Sequence, residues 1–452
     1  MNNNALPKIS NLQISKFPLL NRFWDLKYLF LFALILRLGY MVLMMGQLSE
    51  QEIFNLYPDT IRYVNIGSGI AEGTWVDEEA VLIFGPGYGM FLGLFFILFG
   101  QHAISLLVFQ ALISSLSCVM IYYFGLELTE NKMVGLIAGY LAAVSFTSIS
   151  LCNVVLSDCL FFFVFLAANL LFIKGLKSGR RREFVLSGII LGAAILIRSI
   201  GQFWPLAMVI LVFIWPLESS RFSNRVSILK RAIWAPLIAF VFIMGWSARN
   251  LNEHNLFMPA FTSAGGLANV AGFTLERITG RSSYDIRVGW EEEYLKKNGK
   301  TSLAYEDRNI LYSDKVRKVV MAHPIQFMRT YFSIIWENMN AVNELYRVQL
   351  PEYCWQIVGF MYRMRDNYYY YHWVTFFSLL SFVILLWRRN WRVFLTLVIF
   401  YGYFVAMMGF TRWQGSRLFY PAEITKTILI ALLIIEIIRL IGKLFNRESV
   451  RT

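Results

Sequence analysis

The sequence predicts an all-α polytopic membrane protein with about 10–12 transmembrane helices, additional interfacial helices and one long outside loop. The chain is 57% apolar and 17% aromatic but only 16% charged, whereas soluble proteins contain roughly 25% charged residues. Its apolar residues form repeated runs that are separated by short basic segments. These two patterns are typical of a chain that crosses a bilayer many times.

The apolar runs predict the individual spans, because a helix needs roughly 17–25 residues to cross the hydrocarbon core. The predicted spans are residues 27–47, 103–126, 131–149, 153–173, 183–199, 202–217, 232–248, 370–388, 393–411 and 421–441. The run Tyr88–Gly100 is shorter than a span, so we expect it to lie in the interface or to be re-entrant. The alternative is that this run does span and that one later assignment is wrong.

Basic residues in short loops indicate which side of the membrane each loop faces. Lysines and arginines cluster at 174–182, 218–231 and 388–392 and in the C-terminus, which predicts that these segments are cytoplasmic. The chain changes sides with each span. Counting the predicted spans between these cytoplasmic segments therefore places residues 48–102 and 249–369 outside. The predicted regions are an N-terminal transmembrane module at 1–248 that carries the catalytic residues and includes the first outside loop 48–102, an outside loop with amphipathic helices at 249–369, and C-terminal transmembrane helices at 370–452.

The net charge of +13 is explained by these loops and does not indicate a nucleic-acid partner. Within the long outside loop, residues 301–323 have a helical pattern, and Pro324 is favourable at the first position of a second amphipathic helix that extends to about residue 343. We expect both helices to lie on the membrane surface.

The first outside loop contains an acid, a base and two tyrosines in the segment Tyr57–Tyr63 (YPDTIRY). If residues 59–72 form a helix, Asp59, Arg62 and Tyr63 share one face, because positions i, i+3 and i+4 are neighbours. A carboxylate at such an interface can serve as a general base. The alternative is that Asp59, which follows Pro58, caps the helix.

Further polar residues fall at the outer ends of predicted spans: Asp158, Arg198, Arg249 with Asn250, and Arg417. Ionisable groups within spans are costly and usually face a cavity or a partner. Arg198 and Arg249 could instead snorkel to lipid headgroups, Asp158 could cap a helix or pair structurally, and Arg417 could anchor the interface. Together, two acids and several arginines predict a site for an acceptor hydroxyl and a lipid phosphate.

The order and spacing of these motifs resemble the polyprenyl-phosphate-sugar-dependent GT-C glycosyltransferases, a family that includes protein O-mannosyltransferases and aminoarabinose transferases. The resemblance covers residues from about 25 to 440. Its motifs are Asp59-Thr60-Ile61-Arg62-Tyr63, Gly85-Pro86-Gly87-Tyr88, Leu156-Ser157-Asp158, Trp246-Ser247-Ala248-Arg249-Asn250 and Arg417-Leu418-Phe419-Tyr420-Pro421.

The resemblance implies a GT-C-like fold in the bacterial inner membrane, with the active site facing the periplasm or the cell exterior. It implies an inverting hexosyl- or pentosyltransferase in which Asp59 is the general base and Asp158 a second catalytic acid. The substrate-binding residues that it implies are Arg62, Tyr63, Tyr88, Arg198, Arg249, Asn250 and Arg417.

The expected partners are a polyprenyl-phosphate sugar as donor, a glycolipid, polysaccharide or protein as acceptor, and membrane lipid. No cofactor is expected. Many family members carry a second acid beside the first, but Thr60 follows Asp59 here, so a divalent metal stays open as an alternative that the sequence does not support. A lipid-linked sugar transporter or flippase is the alternative function, although it should have interrupted helices near the midplane. A polysaccharide ligase is another, and it would not need Asp59.

Overall fold

Helices account for the regular structure of the described residues, among which no β-strand occurs. The computed structural model describes residues 26–448 other than 75–77, 216–221, 261, 341–347, 355, 357–369 and 413–415. The prediction of an all-α chain is therefore confirmed. The first 25 residues of the predicted N-terminal module lie outside the described part.

The helices of the N-terminal part carry most of the predicted spans. They are α1 (Leu26–Met45), α2 (Glu50–Phe54), α3 (Pro58–Ala71), α4 (Glu78–Phe84), α5 (Gly87–Phe99), α6 (Ala103–Thr129), α7 (Lys132–Ala143), α8 (Phe146–Leu151), α9 (Ser157–Ser178), α10 (Arg181–Ile197), α11 (Trp204–Ile214), α12 (Phe222–Ala232) and α13 (Trp234–His254). A short 3₁₀ turn, Ser199–Gly201, separates α10 from α11.

The remaining helices form an insertion and a C-terminal group. The insertion contains α14 (Thr262–Thr279), α15 (Ser283–Asn298), α16 (Tyr305–Ala322) and α17 (Pro324–Asn340). The C-terminal group contains α18 (Tyr370–Trp387), α19 (Trp391–Met408), α20 (Ser416–Phe419) and α21 (Glu423–Glu448). Helices α16 and α17 match the two helices expected in the long loop, and Pro324 begins the second of them.

Five of the described helices are long and apolar enough to cross a membrane: Leu26–Met45, Ala103–Thr129, Ser157–Ser178, Val226–His254 and Trp391–Met408. The other predicted spans coincide with shorter or more charged helices. The predicted span 131–149 is wrong in its length, because α7 ends at Ala143 and Ser145 begins a new short helix by accepting a hydrogen bond from the Ser148 amide. The run at 88–100 forms the 13-residue helix α5.

An aromatic cluster joins three helices in the centre of the bundle. The buried Trp204 of α11 lies 4.5 Å from Phe400 of α19 and 5.0 Å from Phe165 of α9, measured between ring centroids. Its indole N–H donates to the side-chain oxygen of Asn169 at 2.8 Å. Large aromatic side chains contribute much of a core's burial, and this hydrogen bond satisfies the one polar atom of Trp204.

The basic ends of several helices meet at one end of the bundle. Lys177, in the last turn of α9, contacts Glu127 and Glu130 at the end of α6, at 3.1 and 3.7 Å. Arg392, at the beginning of α19, contacts Glu130 at 3.5 Å. Two segments that the charge pattern assigns to the same side, 174–182 and 388–392, are therefore neighbours at the end of α6.

The insertion has a small apolar core of its own and is fastened to the turn that follows α19. Trp290 of α15, Leu311 of α16 and Ile334 of α17 are buried in this core. Arg412, after α19, contacts Glu337 of α17 at 2.5 Å and Glu276 of α14 at 3.3 Å. These ion pairs hold the insertion against the C-terminal end of α19.

The turn between α4 and α5 brings two backbones into direct contact. Gly85 has a φ of +86°, and a Cβ on Gly87 would lie 2.5 Å from the amide nitrogen of Ile197 and 2.6 Å from the carbonyl carbon of Leu196. A side chain at position 87 would therefore push α5 away from the end of α10.

Replacing Gly87 by alanine is expected to lower the free energy of unfolding by about 1–3 kcal/mol, since overpacking forces the backbone to move. The measurement is the thermal unfolding midpoint of the purified protein in lipid nanodiscs. Gly245→Ala is the matched control, because a Cβ at Gly245 meets no atom within 4 Å and alanine is the better helix former. Equal midpoints for the two variants would contradict the close approach at Gly87.

Candidate active site

Asp59 lies in the first turn of α3, where its charge is favourable because helix N-termini carry a partial positive charge. Tyr57 is the N-cap residue, and no side chain makes the capping hydrogen bond. The carboxylate of Asp59 instead contacts Arg417, whose two terminal nitrogens both lie 3.4 Å from Oδ2. The alternative that Asp59 only caps the helix is therefore wrong.

Asp158 occupies the same position at the beginning of α9, in the first turn after the N-cap Leu156. Its side chain is only 2% exposed. Arg198 donates to Oδ1, and Nε of Arg417 donates to Oδ2 at 2.9 Å. A buried carboxylate needs such partners, because an unpaired buried charge is strongly unfavourable.

The two arginines reach this acid from different parts of the chain. Arg198 directly follows α10 in an extended conformation, and Arg417 lies on the short helix α20. Burial alone would lower the pKa of the Arg417 guanidinium, but Asp158 and Asp59 outweigh it and raise this pKa above its ordinary value. Arg417 therefore stays charged and bridges the two acids.

A cavity of about 290 Å³ opens beside these four charged groups. Charged and polar side chains line one part of it, and apolar side chains line the rest. The lining residues are Asp59, Tyr63, Phe84, Ser157, Arg198, Ser199, Ile200, Gln202, Phe203, Gly266, Leu267, Met407, Phe410, Thr411, Arg417 and Leu418. The cavity is therefore amphipathic, with its charges concentrated where α3, α9 and α20 meet.

Hydrogen bonds lock the beginnings of α3 and α9 together. The buried Thr60 hydroxyl donates to the carbonyl of Val155 at 3.0 Å, and the Tyr63 hydroxyl donates to Oγ of Ser157 at 3.3 Å. Thr60 directly follows Asp59, and Ser157 directly precedes Asp158. Tyr63 lies one helical turn after Asp59. The separation of Asp59 and Asp158 is thus fixed by the backbone around them.

Two residues of the predicted site support the cavity without lining it. Tyr88 is fully buried behind Tyr63, with the two rings 4.8 Å apart edge to face, and its hydroxyl donates to Gln110 at 3.1 Å. Arg62 lies over the ring of Phe84, itself a lining residue, at 5.9 Å. Packing on neighbouring helices, rather than position in the motif, decides both orientations.

Arg249 and Asn250 do not line this cavity. Arg249 lies over the Trp246 ring at 5.3 Å and contacts His254 at 3.3 Å. Asn250 is buried, and its side-chain nitrogen donates to the carbonyl of Met258 at 2.8 Å. Both belong to the last turns of α13, where they hold the chain that leaves this helix.

The sequence interpretation missed several residues of the site. Ser199, Gln202 and Thr411 line the cavity from turns, and their only signal was their position between apolar runs. Outside the cavity, Arg37 was also missed, although an arginine inside an apolar run signals a special environment. It is fully buried on α1 and donates to Oγ of Ser148 at 2.8 Å.

The donor set does not fit a divalent cation. Both oxygens of Asp158 accept hydrogen bonds from guanidinium groups, and Asp59 contacts Arg417. Across the described part of the chain, no three His, Cys, Asp or Glu side chains are grouped as metal ligands would be. Arg417 contacts both acids and so occupies the position that a bridging cation would take.

Asp158→Asn is expected to destabilise the protein by about 3–5 kcal/mol, because it breaks a buried ion pair and leaves two guanidinium groups without their shared anion. Asp59→Asn is the matched control. Its side chain is 36% exposed and its contacts are 3.4 Å long, so the loss should be less than about 1 kcal/mol. The measurement is the unfolding midpoint in lipid nanodiscs, and equal midpoints for the two variants would contradict this difference.

One family of known proteins matches part of the chain. Residues 85–246 match the family described as dolichyl-phosphate-mannose-protein mannosyltransferase. No curated protein matches the chain.

The chain is also similar to solved structures of an oligosaccharyltransferase from Archaeoglobus fulgidus. The complex of AglB with an inhibitory peptide and a dolichol-phosphate has 12% sequence identity and a TM-score of 0.52, and the apo form has 12% identity and a TM-score of 0.54. Both alignments cover 94% of this chain but 52% of the archaeal chain, so the chain spans about half the length of the structures it matches. The predicted resemblance is thus confirmed, and the chain shares the fold of the membrane part of these archaeal structures over most of its own length.

Proposed function

We propose that this protein is a membrane glycosyltransferase that transfers a sugar from a polyprenyl-phosphate donor to an acceptor hydroxyl, with inversion at the anomeric carbon. The observation that carries the proposal is the cavity at the junction of α3, α9 and α20, where Asp59 lies beside Arg198 and Arg417. A carboxylate next to two guanidinium groups combines a proton acceptor with a binding site for phosphate.

Asp59 suits the role of general base better than Asp158. A base must come within hydrogen-bond reach of the substrate, and Asp59 lines the cavity whereas Asp158 does not. Both contacts from Arg417 go to Oδ2 of Asp59, so Oδ1 can accept the proton. Asp158 has both oxygens engaged by arginines, and we assign it the role of positioning them.

Arg198 and Arg417 suit the lipid phosphate. The guanidinium group matches phosphate geometry because its planar fork binds two oxygens at once. Their side chains are only 16% and 17% exposed, and preorganised charge acts more strongly when water is excluded. Asp158 keeps both arginines in place between turnovers.

The proposed step conserves atoms and electrons. The acceptor oxygen forms a bond to the anomeric carbon while its proton moves to the carboxylate of Asp59. The bond between the anomeric carbon and the phosphate oxygen breaks, and its electron pair stays on the phosphate. The lipid phosphodiester thus becomes a monoester with one additional negative charge, which Arg198 and Arg417 stabilise. A general base of this kind contributes roughly 10²–10⁴ in rate.

The charge distribution along α9 supports an extracytoplasmic site. Asp158 begins this helix and Lys177 lies in its last turn, about 30 Å away at the rise of an α-helix. Lys177 belongs to the basic segment 174–182, which the positive-inside rule assigns to the cytoplasm. The reacting groups would then face the periplasm or the cell exterior, where a bacterial inner-membrane enzyme would meet a glycolipid, polysaccharide or protein acceptor.

Asp59→Asn should abolish transfer while leaving the protein folded and in the membrane, because asparagine cannot accept the proton. The measurement is mass spectrometry of the glycolipids and glycoproteins of cells that produce the wild-type chain, the variant or no chain. We expect the sugar that depends on the chain to be missing with Asp59→Asn and present with the control Asp285→Asn, whose side chain is exposed on α15. Normal modification by Asp59→Asn would rule out Asp59 as the base.

Arg198→Gln should weaken binding of polyprenyl phosphate by about tenfold or more, since a charge-assisted hydrogen bond contributes about 1.5–3 kcal/mol. Arg249→Gln should leave this affinity unchanged, because Arg249 lies away from the cavity. Both affinities can be measured by titrating polyprenyl phosphate onto the full-length protein in nanodiscs. An equal loss in the two variants would show that the arginines act through general surface charge.

A further inference from the structure

A second group of charged side chains lies far from the candidate active site. Glu436 and Arg439 are on α21, and Arg388 directly follows α18. Glu436 lies about 20 Å along α21 from the first residue of this helix, at the rise of an α-helix, whereas Arg417 precedes the helix. The proposed reaction does not use this group.

Two arginines of this group share one carboxylate. Nη2 of Arg388 and Nη2 of Arg439 both donate to Oε1 of Glu436, the second at 3.0 Å. Nε of each arginine is buried and has no hydrogen-bond partner in the described part of the chain. The described side chains of the group thus carry two positive charges and one negative charge. Such a group favours an additional anion, because cations that are withdrawn from water need partners.

The neighbouring acids at the end of α6 do not supply this anion. Glu127 and Glu130 contact Lys177 at 3.1 and 3.7 Å, and Glu130 also contacts Arg392 at 3.5 Å. These two acids and two bases already balance one another.

A third arginine, Arg389, has a backbone conformation that is unusual for its residue type. Its φ is +54° in the turn after α18, where its N–H donates to the carbonyl of Leu386 at 2.9 Å and the Asn390 N–H donates to that of Leu385 at 3.1 Å. This is a Schellman motif, in which glycine is the usual residue at the left-handed position. The exposed side chain of Arg389 thus extends from a position that disfavours a side chain, which indicates a use for it outside the fold.

The surface that adjoins these arginines is apolar and aromatic. Trp387 and Trp391, on either side of the turn, are 72% and 50% exposed, and tryptophan is enriched where a membrane meets water. Large apolar side chains of α18 and α21 are also exposed: Val383, Leu386, Ile437, Leu440 and Ile441. An apolar surface that ends in several arginines matches a phospholipid, whose acyl chains lie beside its phosphate.

The space between the helices is too small to enclose a phosphate group. The cavity that Arg388, Glu436 and Arg439 help to line has a volume of about 20 Å³, which holds about one water molecule. A phosphate must therefore meet the arginines from the surface, where 26% of the Arg388 side chain and 17% of the Arg439 side chain are exposed. Acyl chains on the adjoining apolar surface would hold a lipid phosphate there, whereas a free phosphate would have only the arginines.

From these observations we infer that Arg388, Arg389 and Arg439 bind the phosphate of an anionic phospholipid, at the end of the bundle that the charge pattern predicts to be cytoplasmic. Basic pockets between membrane helices on this side of a membrane are suited to such headgroups. The inference does not depend on the proposed sugar transfer, because this group lies away from Arg417.

The test titrates phosphatidylglycerol onto the full-length protein in detergent and measures the tightest binding event by native mass spectrometry. Phosphatidylglycerol should bind about tenfold more tightly than phosphatidylcholine with the same acyl chains, because only its headgroup has a net negative charge. Arg439→Gln and Arg389→Gly should each lower this affinity about fivefold. The control Arg182→Gln, which removes an exposed arginine at the beginning of α10, should bind like the wild type.

Equal affinity for the two lipids would overturn the inference, and so would the same loss in Arg182→Gln as in Arg439→Gln. Displacement of bound phosphatidylglycerol by an equal concentration of inorganic phosphate would also overturn it, because the site would then be one for small anions.

Thermal unfolding in phosphatidylcholine nanodiscs separates lipid binding from a role in the fold. Arg389→Gly should unfold at the same temperature as the wild type or at a higher one, because glycine fits the left-handed position. In phosphatidylglycerol nanodiscs the wild type should gain more stability than this variant. A lower midpoint of the variant in phosphatidylcholine would show that Arg389 serves the fold and would remove it from the lipid site.

Discussion

The buried carboxylate of Asp158 is the constraint around which this end of the protein is built. Its two oxygens accept from Arg198 and Arg417, and Arg417 also reaches Asp59. A carboxylate that is 2% exposed is tolerable only when such partners surround it. Three parts of the chain must therefore converge on the first turn of α9. They carry Arg198 before α11, Asp59 in α3 and Arg417 before α21, and the cavity forms where they meet.

The segment that leads into α9 fixes this convergence through its own backbone. Gln110 of α6 donates to the carbonyls of Cys152 and Val154, at 3.1 and 2.9 Å, and Thr60 of α3 donates to that of Val155. Buried carbonyls outside helices need such donors. The same bonds that satisfy this irregular segment also set the distance between the acids, so packing and site geometry depend on one another.

Helix positions were predictable because apolar runs can be read from the sequence. The convergence of four charged residues was predictable because basic loops indicate which ends of the spans share a side. Asp59, Asp158, Arg198 and Arg417 each flank an apolar run at the same predicted side, and the fold brings them together. Orientation was less predictable, since it depends on packing partners that are distant in sequence. Arg62 therefore lies over Phe84, and the buried Arg37, whose partners come from α6 and α8, was overlooked.

The unequal contacts of Arg417 suggest how the charge of the site stays constant during the proposed transfer. Nε holds the buried Asp158 at 2.9 Å, whereas the terminal nitrogens lie 3.4 Å from the more exposed Asp59. When Asp59 takes the acceptor proton it loses its negative charge, and the leaving phosphate gains one in the same step. Arg417 can then shift its terminal nitrogens from the Asp59 carboxylate to the phosphate, while Asp158 holds its Nε in place. The total charge of the cavity therefore stays the same during the transfer, and no additional charge has to form in a medium of low dielectric.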